Sequence, residues 1–185
     1  MRCESISLLF RLAYLLTHEP GGTPLGRKLR YWLKSSEGEM SPLVELLLFN
    51  ASRAQLVDRV IGPGLKEGQI VICDRYDDST TTYQSYGRGL DLAMVRSINT
   101  TATRGLQPDL TILLDMPPEK GLPRKKNCHH DRFEQEDIAF HRRVRRGYLT
   151  LAEEEPQRWL VIDASQPRGK IAETIWQRVR QLISR

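Results

Sequence analysis

The feature of this sequence that most constrains its fold is the alternation of short apolar runs with longer amphipathic stretches. Residues 70–73 show no alternation of apolar with polar side chains, which indicates a strand buried on both faces, and we expect the same of 109–115. A further strand is predicted at 159–164. The stretches that predict helices begin at Pro24 and Ser41 and cover 91–103, 136–155 and 170–184. Strands that alternate with helices predict an α/β domain whose parallel sheet is covered by helices on both faces.

Charged and hydroxyl side chains follow directly after the run at 70–73. Asp74 and Arg75 stand at the carboxyl end of this predicted strand, where open parallel sheets bind their ligands. The hydroxyl-rich run that follows can cap a helix and face the same crevice. An ion pair at the end of the strand is an equally simple explanation of the two charges.

The composition excludes several classes of protein. The 185 residues contain no run of about 18 uncharged apolar residues, so we expect one soluble domain over 1–185 with no membrane span. The 28 Lys and Arg against 23 Asp and Glu give a net charge of +5, which suits anionic partners. The three cysteines form neither a CxxC pair nor a disulfide framework, which predicts a reducing, cytoplasmic setting. Cys128, His129 and His130 have no second ligand pair, so we expect no metal site there.

Residues 19–26, EPGGTPLG, combine a glycine loop with the start of a helix. Gly21 and Gly22 allow the backbone to approach an anion closely. Thr23 suits the N-cap, and Pro24 suits the first helical position. A helix N-terminus beside glycines favours phosphate, although the same residues also build an ordinary capped turn.

The second predicted helix carries an aromatic and a cationic residue on one face. Phe49 and Arg53 are separated by four positions, so they lie side by side and can hold a planar base by stacking and hydrogen bonding. A Phe packed in the core beside a solvated Arg is the alternative. Pro63 and Gly64 are expected to end or kink this helix, and the apolar residues 12–17 fit either a strand or a short helix.

The segment 117–134 differs from the rest of the chain in composition. It is polar and basic, and it is interrupted by Pro117, Pro118, Gly121 and Pro123. These features predict a mobile flap over an anionic ligand.

Six blocks of the sequence resemble bacterial thymidylate kinases. In chain order they are EPGGTPLG, ELLLFNASRAQ, ICDRYDDSTTTYQSYGRGL, PDLTILLD, DRFEQED with FHRRVRRGY, and VIDA, and together they cover roughly 17–185. Agreement in six separate blocks is more specific than a match to one short motif. The resemblance implies the fold of a P-loop α/β kinase. It also implies transfer of the γ-phosphoryl group from ATP, with Mg²⁺, to dTMP, which gives dTDP.

The resemblance implies a role for each residue around the base and the sugar. Phe49 would stack on thymine, while Arg53 and Gln84 would hydrogen-bond its edge. Thr80 would lie beside them. Tyr83 would sit against the deoxyribose, where a bulky ring disfavours a 2′-hydroxyl group.

Further residues correspond to the family's phosphate-binding groups. Arg30 and Arg75 would bind the phosphate of dTMP, because phosphoryl transfer requires neutralised oxygens around the transferring group. Asp74 would lie near Mg²⁺ through a water molecule, so that Asp74 and Arg75 would be the catalytic residues. In the flap, Arg132 and Arg124 would reach the phosphates of ATP.

The sequence departs from this family in one major respect. A P-loop kinase carries GxxxxGK[ST] after its first strand, and this motif occurs nowhere in the 185 residues. Only 16 residues precede Thr17, whereas a strand, crossover helix and second strand need about 30. We therefore expect an N-terminally truncated member without the first strand, phosphate loop and first helix, which would leave unpaired backbone and exposed apolar faces in the sheet. A smaller departure is His18, where the family usually has Arg.

Three hypotheses about function follow. The favoured one is a thymidylate kinase that has negligible activity as the chain stands, and the second is a module that binds dTMP without transferring phosphate. A basic nucleic-acid binder is not favoured, because aromatic residues are not interleaved with basic ones on any one element. The resemblance implies dTMP and ATP as partners and a homodimer, with neither nucleic acid nor membrane.

Overall fold

A computed structural model describes residues 13–35, 39–125 and 132–184. The strands are β1 (Tyr14–His18), β2 (Ile70–Asp74), β3 (Thr111–Asp115) and β4 (Trp159–Asp163). The α-helices are α1 (Pro24–Lys34), α2 (Pro42–Leu56), α3 (Gly62–Lys66), α4 (Asp77–Thr80), α5 (Leu92–Thr103), α6 (Pro118–Gly121), α7 (Ile138–Glu154) and α8 (Arg168–Ile183). Two π-helical segments, Val57–Ile61 and Thr81–Gly87, and one 3₁₀ turn, Leu122–Lys125, connect them.

Two helices begin where their capping residues predict. The Thr23 hydroxyl accepts a 2.9 Å hydrogen bond from the Gly26 amide, and proline occupies the first turn of α1. Ser41 accepts in the same way from Val44 at the start of α2. These starts hold the loop before α1 and the first turn of α2 in place, and the loop contributes Glu19 and Pro20 to the pocket described below.

The helix that begins at α2 changes its hydrogen bonding before Pro63 and ends before β2, where Pro63 and Gly64 were expected to end or kink it. Its hydrogen bonding becomes π-helical over Val57–Ile61, and α3 then includes Pro63 and Gly64 before ending at Lys66. A π-helical turn can accommodate a proline, because proline has no amide hydrogen for the regular ladder.

The strands pair in parallel, as the alternating pattern predicts. β1 pairs with β2 from Tyr14 opposite Ile70 to His18 opposite Asp74, so the described part of the apolar run predicted at 12–17 forms a strand from Tyr14 and not a helix. β3 pairs with β4 in the same way. Within 13–35, 39–125 and 132–184, no hydrogen-bonded ladder joins these two pairs to each other.

The expectation that 70–73 and 109–115 are buried on both faces is wrong. Ile72 is 53% exposed, and its partner across the ladder, Leu16, is 67% exposed. Leu114 on β3 is 52% exposed. In the described part of the chain these side chains face outward, because burial depends on a covering element and not on the apolar run itself.

The core lies where helices pack on each other and on the π-helical segment Thr81–Gly87. Its fully or almost fully buried apolar side chains include Leu33, Leu46, Leu56, Val95, Phe140 and Val144. This packing holds α1, α2 and the segment Thr81–Gly87 rigidly around the carboxyl ends of β1 and β2. None of the described helices has both the length and the apolar character that a membrane span requires.

The predicted flap is described only in part. Residues 118–125 form α6 and the 3₁₀ turn. The remainder of the basic stretch, 126–131, which includes Cys128, His129 and His130, lies outside the described residues, as does the side chain of Arg124.

Candidate active site

A pocket of about 390 Å³ opens at the carboxyl ends of β1 and β2. Open parallel sheets bind ligands at this edge. The pocket brings together residues that are far apart in the sequence. The predicted site residues that line it are Arg30, Phe49, Arg53, Asp74, Arg75, Thr80, Tyr83 and Gln84.

Arg53 is the best-connected side chain in the pocket wall. It is 1% exposed, and its Nε donates to Glu19 Oε2 at 2.8 Å. Its other nitrogens donate to Asn50, Asn99 and Thr80 at 3.3, 3.2 and 2.8 Å. Because these bonds use the guanidinium donors within the protein, Arg53 ties the β1 end, α2, α4 and α5 together at the pocket floor.

Two further arginines give the pocket its positive charge. Arg30 on α1 donates to the Pro20 carbonyl oxygen at 2.9 Å. Arg75 follows β2 in a left-handed backbone conformation, with φ of 67°, and its guanidinium lies 5.5 Å from the centroid of the Tyr83 ring. A non-glycine residue in this conformation is uncommon and often marks a functional site, because strain is tolerated where it aims a side chain.

Aromatic rings form one side of the pocket. The Phe133 ring lies 5.8 Å from that of Phe49 and 5.7 Å from that of Tyr83, measured between centroids. These rings provide apolar faces on which a planar group can stack. Phe133 therefore belongs to the site, although the sequence did not single it out.

Gln84 and Arg132 both bind Glu45, which is completely buried. Gln84 Nε2 donates to Glu45 Oε1 at 2.7 Å, and the Arg132 guanidinium donates to Glu45 Oε2. Arg132 is thus directed to the protein interior and lies outside the pocket lining, whereas Gln84 reaches the pocket.

Several titratable groups near the pocket are shifted from their ordinary behaviour. Burial raises the pKa of Glu19, against the opposing effect of Arg53. Burial and the neighbouring Asp78 raise the pKa of Asp77 to about 6. Burial also raises the pKa of the Cys73 thiol to about 12, so this cysteine stays protonated at neutral pH.

Asp74 is the pocket residue whose chemistry suits Mg²⁺. Its carboxylate is exposed in the pocket, next to Arg75. The described residues contain no group of three His, Cys, Asp or Glu side chains that could enclose a metal ion. Mg²⁺ in phosphoryl-transfer sites is commonly bound through one or two carboxylates, waters and substrate phosphates, so a single carboxylate fits that mode.

Some pocket residues were missed by the sequence analysis. Glu19 stands in the EPGG block and anchors Arg53 from the β1 end. His141 on α7 also lines the pocket. Its Nε2 is buried with no hydrogen-bond partner in the described part of the chain, and burial lowers the pKa of His141. The signal available for both was their position inside blocks that carry the family resemblance.

The parallel strands with a basic, aromatic-walled pocket at their carboxyl ends define an α/β protein whose pocket suits an anionic, planar ligand. A family model described as thymidylate kinase matches residues 7–175. The chain belongs to the thymidylate kinase family, whose members are nucleoside monophosphate kinases, and its fold is that of the P-loop kinases, as expected.

Individual relatives agree with this assignment. A thymidylate kinase of Dehalococcoides mccartyi is 54% identical over 173 residues, which cover 93% of this chain and 83% of the relative. One from Deinococcus radiodurans is 49% identical over 170 residues, covering 91% and 82%. The crystal structure of thymidylate kinase from Ehrlichia chaffeensis superposes with a TM-score of 0.70 at 33% identity, covering 86% of this chain and 79% of that one.

Proposed function

We propose that the pocket binds dTMP and that its residues serve the transfer of a phosphoryl group from ATP to give dTDP. One observation carries this proposal. The pocket combines an aromatic face at Phe49, a buried amide at Gln84, and two arginines, Arg30 and Arg75, on its wall. Such a set matches the three parts of a pyrimidine nucleotide, namely a flat base, its polar edge and its phosphate.

The base would lie against Phe49, with its edge toward Gln84. Gln84 Oε1 is buried and has no hydrogen-bond partner among the described residues, so it is available to accept from the N3–H of thymine. Tyr83 would lie against the sugar. Arg53 and Thr80 are hydrogen-bonded to each other at 2.8 Å and would form the wall behind the base.

The phosphate would lie between Arg30 and Arg75. Their positive charges would neutralise the phosphate oxygens, which is the main requirement of phosphoryl transfer. Asp74 would hold Mg²⁺ through water, and the ion would supply further neutralisation of the phosphates. On the flap side, Arg124 remains the proposed contact to the phosphates of ATP, and Arg132 would need to leave Glu45 to join it.

A second function, binding of dTMP without transfer, is favoured by one observation. The 185 residues contain no GxxxxGK[ST], the motif whose amides and lysine hold the phosphates of the donor. We therefore propose that this 185-residue chain alone transfers phosphate negligibly. An assay of dTDP formation with ATP and Mg²⁺ tests this, and a turnover rate equal to that of the Dehalococcoides mccartyi relative would overturn it.

We also propose that the chain works in the cytoplasm as a homodimer, with neither nucleic acid nor a membrane as partner. Apolar side chains on α2 support the dimer, because Leu43, Val44 and Leu47 are 45 to 48% exposed. Light scattering on the purified chain should give twice the 21.3 kDa of one copy. Leu47→Glu should reduce that mass to one copy.

The binding roles can be tested by calorimetry with dTMP and thymidine. Phe49→Ala should raise the dissociation constants of both ligands by about tenfold or more. Stacking on a base is worth about 1–3 kcal/mol and does not depend on the phosphate. Arg75→Ala should weaken the binding of dTMP by a similar factor but leave the binding of thymidine unchanged, because the guanidinium would bind the charged phosphate, which thymidine lacks.

Arg104→Ala is the matched control for charge. Its side chain is 73% exposed and lies outside the pocket, so this variant should bind both ligands as the unaltered chain does. If Arg75→Ala loses as much affinity for thymidine as for dTMP, the assignment of Arg75 to the phosphate is contradicted.

A further inference from the structure

Glu45 is a buried carboxylate to which no catalytic or binding role has been given above. It is 0% exposed and stands in the first turn of α2. Its Oε1 accepts from Gln84 Nε2 at 2.7 Å and from Arg88 Nε at 3.2 Å. Its Oε2 accepts from Arg88 Nη2 at 3.3 Å and from Arg132 Nη2. One carboxylate therefore holds a pocket residue and two arginines at once.

These contacts determine which way the Gln84 amide points. A guanidinium has only donors, so each oxygen of Glu45 that meets Arg88 or Arg132 acts as an acceptor. The Gln84 atom facing Glu45 Oε1 must then be the amide nitrogen, because two acceptors would repel each other. The other amide atom, Oε1, has no hydrogen-bond partner among the described residues. Because Gln84 lines the pocket, Oε1 is the acceptor that it can offer to a ligand there.

We propose that Glu45 is a positioning residue that fixes the Gln84 amide with its acceptor toward the base, so that the pocket selects a pyrimidine with N3–H and rejects one whose N3 is an acceptor. This inference rests on the proposed binding of dTMP at Gln84. Buried polar groups discriminate strongly in this way, because the wrong partner leaves an acceptor facing an acceptor.

The same carboxylate also anchors the chain that carries an aromatic wall of the pocket. Arg132 precedes Phe133, and Arg88 binds Glu136 at 2.5 Å as well as Glu45. The Arg88 guanidinium lies 5.8 Å from the Phe133 ring. Glu45 thus orients the base-edge acceptor and holds the neighbouring aromatic wall through one set of ion pairs.

The test is a comparison of two nucleotides that differ only at the base edge. dTMP and 5-methyl-dCMP share the methyl group, sugar and phosphate, but N3 carries a hydrogen only in dTMP. Calorimetry gives the dissociation constant of 5-methyl-dCMP divided by that of dTMP, and a larger ratio means a stronger preference for dTMP. For Glu45→Gln, which can turn a donor toward Gln84 and allow its amide to flip, we expect this ratio to fall about tenfold, the equivalent of one hydrogen bond.

Two further variants distinguish a change in the orientation of Gln84 from a loss of folding. Glu45→Asp keeps the charge for the arginines but shortens the reach to Gln84, so the ratio should fall in the same direction. Glu136→Gln is the matched control, because Glu136 shares Arg88 with Glu45 while Gln84 Nε2 donates to Glu45, and its ratio should not change. Circular dichroism confirms that each variant is folded.

The outcomes separate this inference from the proposed function. If Gln84→Leu lowers the ratio and neither folded Glu45 variant does, Glu45 does not position Gln84 and the inference is overturned while the proposed function stands. If Glu45→Asp lowers the ratio equally in the Gln84→Leu background, Glu45 acts elsewhere, which also overturns it. If the unaltered chain does not prefer dTMP, the proposed function itself fails and the inference fails with it.

Discussion

Asp77, at the start of α4, is predicted to make the stability of the fold depend on pH. Asp78 is held by Arg158, which donates to both of its oxygens at 2.8 and 2.9 Å. Among the residues that the structure describes, the buried Asp77 Oδ1 has no hydrogen-bond partner, and burial together with Asp78 raises the pKa of Asp77 to about 6. The folded state therefore binds a proton at Asp77 that the unfolded state, with a pKa near 3.9, has already released.

The sign and size of the effect follow from this difference. Since the folded pKa is the higher one, the stability contributed by this group is complete below about pH 4 and is lost as pH rises through 6. About two pKa units correspond to about 3 kcal/mol, and the partial exposure of Asp77 reduces this to about 1–3 kcal/mol. Asp77→Asn cannot ionise, so its free energy of unfolding should rise relative to the unaltered chain by that amount between pH 4 and pH 7.

Urea unfolding followed by circular dichroism at pH 4, 5, 6 and 7 measures this difference. Comparison across pH removes any constant effect of replacing a carboxyl group by an amide. Gln107→Ala, an exposed substitution that removes no titrating group, is the control and should differ from the unaltered chain by a constant amount. If the free energy of unfolding of Asp77→Asn also differs from that of the unaltered chain by the same amount at every pH, the raised pKa of Asp77 is contradicted.

Two other substitutions should reveal how the pocket is held. Gly21→Ala should destabilise the fold by about 1–3 kcal/mol, because Gly21 has φ of +140°, a conformation that residues with a side chain rarely adopt. Gly169→Ala, with open space around it, should be neutral or slightly stabilising in thermal unfolding. Arg53→Met should lower the free energy of unfolding by about 3–5 kcal/mol, because Glu19 loses its buried partner; a loss below about 1 kcal/mol in urea titration would contradict that.

The local structure could be predicted well where one short stretch decides it. Thr23 and Ser41, each followed by proline, mark the starts of α1 and α2, because capping involves only the next three residues. The parallel pairing followed from the alternation of strands with helices. The burial of 70–73 did not follow, since the exposure of Ile72 depends on which elements cover the sheet.

Most of the residues that the family resemblance singled out line one pocket, but their contact partners could not be predicted. Arg53 and Phe49 were expected to lie on one helical face, and both line the pocket. The contacts of Arg53 with Glu19 and Asn99 join positions 34 and 46 residues apart, which no local pattern reveals. Glu45 has the pattern of an ordinary acidic residue in a first helical turn, and only the tertiary fold shows that it is buried among Gln84 and two arginines.

The most direct test of the account is the crystal structure of this chain with dTMP. We expect the thymine ring to lie against Phe49, with its N3 within hydrogen-bond distance of Gln84 Oε1. The phosphate should lie between Arg30 and Arg75. Nucleotide bound outside this pocket, or a phosphate that contacts neither arginine, would contradict it.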